Sequence, residues 1–269
     1  MSTSSAITVL VVGATGATGR HVVSQLLQEQ HNVRAIARSK DRLLSSLGDI
    51  LGKDLDNYSS QLQITEAAIL DLSDDDLQKQ VEGCDAVVQT LGHNMTFKGM
   101  YGNPRKLVTD SIRRLTNAIE ATKSSTPFHG KNMRVILMGS DGVTHPDGTT
   151  DDKRPLSERV VLSIIRALVP PHRDNEAAAK YVYEDVGTDM SKSFEWAVVR
   201  PTDLVDAEKT SKYVTYDKPV GGLFGDNTVS RINVAKFFVD LLTSDDLWQT
   251  WVYKFPVVHN AEETAVSLE

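Results

Sequence analysis

Short apolar runs alternate along this chain with stretches that are apolar on one helical face only. The first run, residues 7–12 (Ile-Thr-Val-Leu-Val-Val), suits a parallel strand buried on both faces. Val22, Val23, Leu26 and Leu27 then fall on one side of a helix predicted over 16–29. The pattern continues with a strand over 33–38, a helix over 40–52, a polar loop over 54–61 and a third strand over 62–70. Asp74-Asp75-Asp76 reads as a helix start, where carboxylates are favoured. A fourth strand is expected over 85–91 and a fifth over 134–138. Between them Pro104 suits the first turn of a helix running to about residue 123, where its missing N–H costs nothing. The second half is less regular. A helix over 156–168 should stop at Pro170-Pro171, followed by a helix over 175–186, a sixth strand over 194–200, a helix over 234–242 and a last strand over 251–258.

Such alternation implies an α/β fold of the Rossmann type: a doubly wound parallel sheet, right-handed crossovers, and helices on both faces. No internal repeat, low-complexity tract or linker interrupts it, so 1–269 is expected to be one domain, with substrate-side elements mainly from 144–269. Composition adds exclusions. The formal charge of −7 argues against non-specific nucleic-acid binding. Cys84 is the only cysteine, which excludes an internal disulfide and a cysteine metal cluster and fits a reducing, cytoplasmic compartment. The first residues lack the basic and apolar regions of a secretory signal, and no apolar run is long enough to cross a bilayer. The expected partner is a small-molecule substrate, with the chain itself a monomer or homodimer and neither membrane nor nucleic acid involved.

Chemistry concentrates first at the end of the opening strand. There Gly13, Gly16 and Gly19 stand three apart, with Thr15, Ala17 and Thr18 between them, directly before a predicted helix. Glycine is needed in such a turn to bend sharply, to let the backbone approach a pyrophosphate and to pack helix on strand. Free N–H groups and the helix dipole favour the anion. The spacing differs from G-x-G-x-x-G, so its position after the first strand supplies the argument. The second strand ends in Arg38-Ser39, not in the acidic residue that would hold an adenosine ribose. An arginine there can accept a 2′-phosphate, and Arg20 and Lys40 add charge nearby, so NADP is expected over NAD.

The Gly-Ala-Thr-Gly-Ala-Thr-Gly turn resembles that of the atypical short-chain dehydrogenase/reductase group, which includes biliverdin/flavin reductase-type enzymes and redox-silent nitrogen-metabolite-repression regulators. The resemblance implies adenine contacts at Asp71 and Leu72, cofactor backing at Thr90, Leu91 and Gly92, and a catalytic-serine position at Ser140. It further implies that Pro201, closing Trp196-Ala-Val-Val-Arg-Pro, approaches the nicotinamide. Ser230-Arg-Ile-Asn-Val-Ala resembles the late helix start of the same group, whereas Gly92-His93-Asn94 and Pro170-Pro-His-Arg-Asp-Asn do not belong to its general pattern.

One departure matters for mechanism. The superfamily's usual proton donor is a tyrosine with a lysine four residues later, and none of the seven tyrosines here has one. Three side chains remain as candidates at the sheet's carboxyl edge. Ser140 can hydrogen-bond a substrate oxygen, or be an ordinary turn serine. His93, after the fourth strand, and His172, in a proline-rigidified loop with Asp174 to orient it, titrate near neutrality and can donate a proton. Tyr181 beside Lys180 is a weaker substitute, because helix neighbours point apart. No G-x-S-x-G, H-E-x-x-H or P-loop is present. Trp248, Trp251 and Phe255 read as packing and not as a base-stacking platform. The leading reading is an NADP-dependent oxidoreductase acting on a small carbonyl or conjugated compound. The alternatives are a redox-neutral epimerase or isomerase with bound cofactor and a non-catalytic NADP-binding or sensing protein.

Overall fold

The computed structural model describes residues 5–93, 96–122, 132–189, 191–222, 225 and 227–261. The start of the chain, Asn94 and the expected helix end near residue 123 lie outside them. In chain order the strands are β1 (Thr8–Val12), β2 (Asn32–Ala37), β3 (Leu62–Glu66), β4 (Ala86–Gln89), β5 (Met133–Met138) and β6 (Phe194–Pro201). Four more follow: β7 (Asp203–Val205), β8 (Tyr213–Tyr216), β9 (Thr228–Ser230) and β10 (Val257–Asn260). The helices are α1 (Gly19–Gln28), α2 (Lys40–Leu51), α3 (Asp74–Val81), α4 (Phe97–Tyr101) and α5 (Leu107–Ala121). The later ones are α6 (Leu156–Leu168), α7 (Pro170–Lys180), α8 (Arg231–Thr243) and α9 (Asp245–Trp251).

Eight strands make the main sheet in the order β3-β2-β1-β4-β5-β6-β10-β8, and β7 pairs with β9 in a small separate one. Every neighbour in the main sheet is parallel except β8, which runs antiparallel to β10. β1 lies inside the sheet, between β2 and β4, where its side chains are buried both ways. Val9 and Val11 face α1, α2, α8 and α9, while Leu10 and Val12 face α3, α5 and α7. This is the Rossmann α/β architecture, with helices on both faces of a mostly parallel sheet. No helix among the described residues is long and apolar enough to cross a membrane. Cys84 is buried as a free thiol, its pKa pushed up to about 11 by burial.

Several boundaries differ from the periodicity, each for a local reason. β3 stops at Glu66, not residue 70: after the Ala67 N–H reaches Ala37 O, β2 has ended and no partner strand remains. Residues 69–71 instead form a short 3₁₀ turn, and Gly52–Tyr58 forms another where a loop is expected. Pro104 stands outside α5, which begins only at Leu107, where the Asp174 carboxylate accepts the Val108 and Thr109 N–H groups. Pro170-Pro171 opens α7 instead of closing α6, since a first-turn residue has no intrahelical N–H bond to lose. His172 therefore lies on a helix and not in a loop. α1 opens at Gly19, three residues later than expected, and α8 opens three residues earlier, where Ser230 accepts the Asn233 N–H. The last strand is β10 at Val257–Asn260 and does not begin at 251: Trp251 closes α9, which Ser244 caps, with Asp245 and Asp246 in its first turn and Trp248 and Trp251 buried.

Candidate functional site

The turn after β1 is built by contact with the end of β4. Gly13 turns at φ +91°, and a Cβ there would lie 2.8 Å from both the carbonyl carbon and Oγ1 of Thr90. At Gly19 a Cβ would lie 2.2 Å from the Gly13 oxygen and 2.6 Å from Thr90 Oγ1. The Thr90 hydroxyl lies 3.2 Å from each of the Val12 and Gly13 carbonyls and donates to them. Gly16 donates its N–H to Gly13 O at 2.8 Å, and a Cβ on it would sit 3.0 Å from that oxygen. The N–H groups of Thr15, Ala17 and Thr18 have no acceptor among the described residues.

This turn opens onto a cavity of about 420 Å³. Of the expected cofactor residues, Gly13, Thr15, Gly16, Arg38, Asp71, Thr90, Leu91 and Gly92 line it. Ala17, Thr18, Gly19, Leu72 and Pro201 do not; Thr18 is buried beneath the turn, and Leu72 packs against the core while its carbonyl accepts from Arg114. Arg20 and Lys40 also stay off the wall.

Sequence reasoning missed part of the lining. Ala67 to Leu70 form one side, Asn103, Pro104 and Leu107 another, and Arg42 joins Arg38 at the open end. Arg42 was findable, because one α2 turn brings it alongside the end of β2. Both guanidinium groups are exposed, and neither pairs with a carboxylate among the described residues. Unbonded turn amides, a roomy apolar-walled cavity and two unpaired cations fit a phosphorylated dinucleotide.

The catalytic candidates lie beyond this cavity, at the carboxyl ends of β4, β5 and β6. Ser140 follows β5 and its Oγ accepts the Gly142 N–H at 3.1 Å, the geometry of a turn serine. Gly142 is buried, and a Cβ built on it would be 3.4 Å from Ser140 Oγ and 3.5 Å from His172 Cε1, so serine and histidine flank one glycine. Asp174 orients His93 and not His172: His93 Nε2 lies 2.8 Å from Asp174 Oδ2, with the two side chains 4% and 1% exposed. His172 Nε2 instead comes within 3.3 Å of Glu176, out of line for a hydrogen bond. Burial pushes the Glu176 carboxyl up, but His172 and Arg166 more than offset this and hold it below the usual range. Tyr181 is removed from the site, its hydroxyl 2.8 Å from Thr116 Oγ1, and Lys180 pairs with Glu184.

Next to Ser140 stands a residue the motif reading passed over. Asp141 donates its N–H to Pro201 O at 3.1 Å and accepts at its carbonyl from Arg154 at 2.7 Å. Burial raises its carboxyl above the ordinary carboxylate value, against opposing pulls from Arg154, the Gly142 N–H and Arg200. Arg200, which precedes Pro201, is fully buried; its Nη1 donates to both oxygens of Asp151, at 2.8 and 3.0 Å, and its Nε to the carbonyl of Phe255. It fastens the 143–151 segment to the sheet.

Comparison with known proteins agrees with this geometry. The family described as NAD(P)H-binding matches residues 13–245. A curated relative, the chloroplastic divinyl chlorophyllide a 8-vinyl-reductase of Arabidopsis thaliana, is 27% identical over 254 residues, or 89% of this chain. The chain spans about half (51%) of that relative's length. Among solved structures, a wide-type short-chain dehydrogenase/reductase from Veillonella parvula in complex with NADP superposes with a TM-score of 0.62 at 15% identity, covering 96% of both chains. ChuY, an anaerobillin reductase from Escherichia coli O157:H7, gives 0.61 at 16% identity, covering 95% of this chain and 98% of its own.

Proposed function

The chain belongs to the NAD(P)H-binding family, and from that premise we propose that it is an NADP(H)-dependent reductase of a small conjugated or carbonyl compound. The observation that carries the cofactor choice is the pair Arg38 and Arg42 on the cavity wall, where no acidic residue stands at the end of β2. Two unpaired guanidinium groups suit a 2′-phosphate dianion and would leave a bare ribose hydroxyl without an acceptor. The amides of the Gly13–Gly19 turn take the pyrophosphate, and the 67–71 segment with Asp71 flanks the adenine. When bound, the nicotinamide supplies the hydride. Ser140 is the group that would hold the substrate oxygen, and His172 stands across Gly142 from it. A conjugated substrate is favoured over an isolated carbonyl because one relative is named a vinyl-reductase and a structural neighbour an anaerobillin reductase.

The commitment of Tyr181 to Thr116 favours one second reading, a protein that binds NADP without turning it over. Calorimetry tests the cofactor assignment. NADPH should bind the wild type at least tenfold more tightly than NADH, about 1.4 kcal/mol, and Arg38→Ala or Arg42→Ala should erase most of that difference. Equal affinities in the wild type overturn the assignment. Binding without NADPH consumption across a panel of conjugated and carbonyl compounds selects the second reading.

A further inference from the structure

We propose that Arg114, on α5, is a positioning residue for the dinucleotide: it fixes from behind the cavity wall that flanks the adenine. That role rests on the NADP(H) reading above and gives its adenine wall a physical cause. Ile69, Leu70 and Asp71 line the cavity, whereas Arg114 does not. The stretch between the end of β3 and the start of α3 has few bonds of its own. Among the described residues its backbone is held by the Ala67 N–H on Ala37 O, by one internal bond from the Asp71 N–H to Ala68 O, and by Arg114. Nη1 of Arg114 donates to Ile69 O at 2.9 Å, and Nη2 donates to Leu72 O. The two acceptors bracket Leu70 and Asp71, so one guanidinium sets the course of the chain on both sides of them.

The residue type suits the task. A planar guanidinium offers donors on two nitrogens at a fixed spacing, and a charged donor bonds a carbonyl more strongly than a neutral one does. A lysine ammonium is a single point on a flexible stem and does not hold two carbonyls in a fixed relation. The Arg114 side chain is only 21% exposed, so water competes little at the clamp. Its ion pair with Asp74, at 2.9 Å, is a different matter, because that carboxylate is 85% exposed and such pairs contribute little. The mount is firm. Ile112 and Leu115 on either side of Arg114 are fully buried, and Asp174 caps α5 at Val108 and Thr109. Leu107, the first residue of α5, lines the same cavity, so this helix forms one wall with its start and braces another two turns later. A wall held in place beforehand spares the ligand the cost of ordering it, and a loosened one makes the ligand bear that cost.

Hydrogen exchange on the protein without ligand tests the clamp, and calorimetry tests its consequence. Arg114→Met keeps an apolar stem and loses both donors, so the amides of residues 67–72 should exchange about fivefold faster or more, while those of β1 and β4 keep their rates. The same variant should bind NADPH about tenfold more weakly, and adenosine 2′,5′-bisphosphate, which carries the adenine half alone, by the same factor. Reduced nicotinamide mononucleotide, the other half, should bind it as it binds the wild type. Arg114→Lys should fall between the two, and Asp74→Asn should match the wild type throughout. A merely structural role would weaken both halves alike. Unchanged exchange over 67–72, an unchanged bisphosphate affinity, or equal losses for the two halves overturns the proposal. Arg114→Lys supplies the same readings if the methionine variant fails to fold. Wild-type protein that binds neither NADPH nor the bisphosphate overturns the NADP(H) reading instead, and the exchange result then still decides the clamp.

Discussion

Glycines three apart can serve a ligand or the chain's own packing, and the sequence does not distinguish the two uses. The structure separates them residue by residue. Gly13 and Gly19 are required by the fold, since any Cβ would drive into Thr90 or into the Gly13 carbonyl at 2.2–2.8 Å. Gly16 lines the cavity, and its Cβ would meet the Gly13 oxygen at 3.0 Å and the Thr90 oxygen only at 4.0 Å. Gly19→Ala should therefore lower the unfolding free energy by about 1–3 kcal/mol, as overpacking does, and shift the thermal midpoint by several degrees. Gly16→Val should cost less stability and lose at least tenfold in dinucleotide affinity. Thermal unfolding and calorimetry on both variants check the contrast, and the reverse ranking would show that the pyrophosphate does not lie on this turn. The same division explains the arginines. Arg38 was legible because its place at the end of a strand is a chemical statement. Arg200 sits in an equally conspicuous motif and turns out to be an internal bolt, because only the fold reveals that Asp151 returns to meet it.

At the scale of elements, Asp174 joins three of them. From α7 it caps the start of α5 through Val108 and Thr109 and also grips His93 on the chain leaving β4. Asp174→Ala strips α5 of its cap and leaves His93 buried without a partner, so it should cost about 3–5 kcal/mol in urea denaturation. His93→Ala leaves the carboxylate with its amide and Thr109 donors and should cost about 1–3 kcal/mol. Equal losses would mean that the histidine pair, not the cap, carries the junction. None of this was readable from spacing, because the partners are 66 and 81 residues apart in sequence. What spacing did reveal was strands and helices that bury a continuous face, β1, α1, α2, β4, β5 and β6 among them; α6 was legible too, although Leu156, Val160, Ile164 and Leu168 on it are exposed. Its failures cluster where a boundary depends on a neighbour, as at the end of β3, the start of α5 and the turn into α7. The three-residue strands β7 and β9 carry too few residues to show any period.

For the whole molecule, the doubly wound sheet gathers the ends of β1, β2, β4, β5 and β6 along one edge, so residues from 13 to 203 in sequence meet there. The sheet's burial also fixes how the protein responds to acid. His21, His31 and His259 are buried near the sheet, and burial is the largest cause lowering each pKa from its ordinary value of about 6.5. Arg20 and Arg231 push His21 the same way against Asp206, while Glu29 and Asp85 partly oppose the shift at His31. Because the folded pKa is depressed, the unfolded chain takes up the proton first as the pH falls. The stability these residues contribute is therefore present above about pH 6.5 and is lost as the pH falls through the folded values. Asp141 has the opposite sign. Its folded pKa is raised, so its contribution is present below the unfolded carboxylate value and lost as the pH rises through its folded one. Denaturant midpoints should consequently drop from pH 7.5 to pH 5.5, before the carboxylates begin to titrate. Replacing His21, His31 and His259 together by glutamine should flatten that slope, even if the variant is less stable throughout. An unchanged slope in the triple variant would mean that these imidazoles are hydrated and titrate alike in both states.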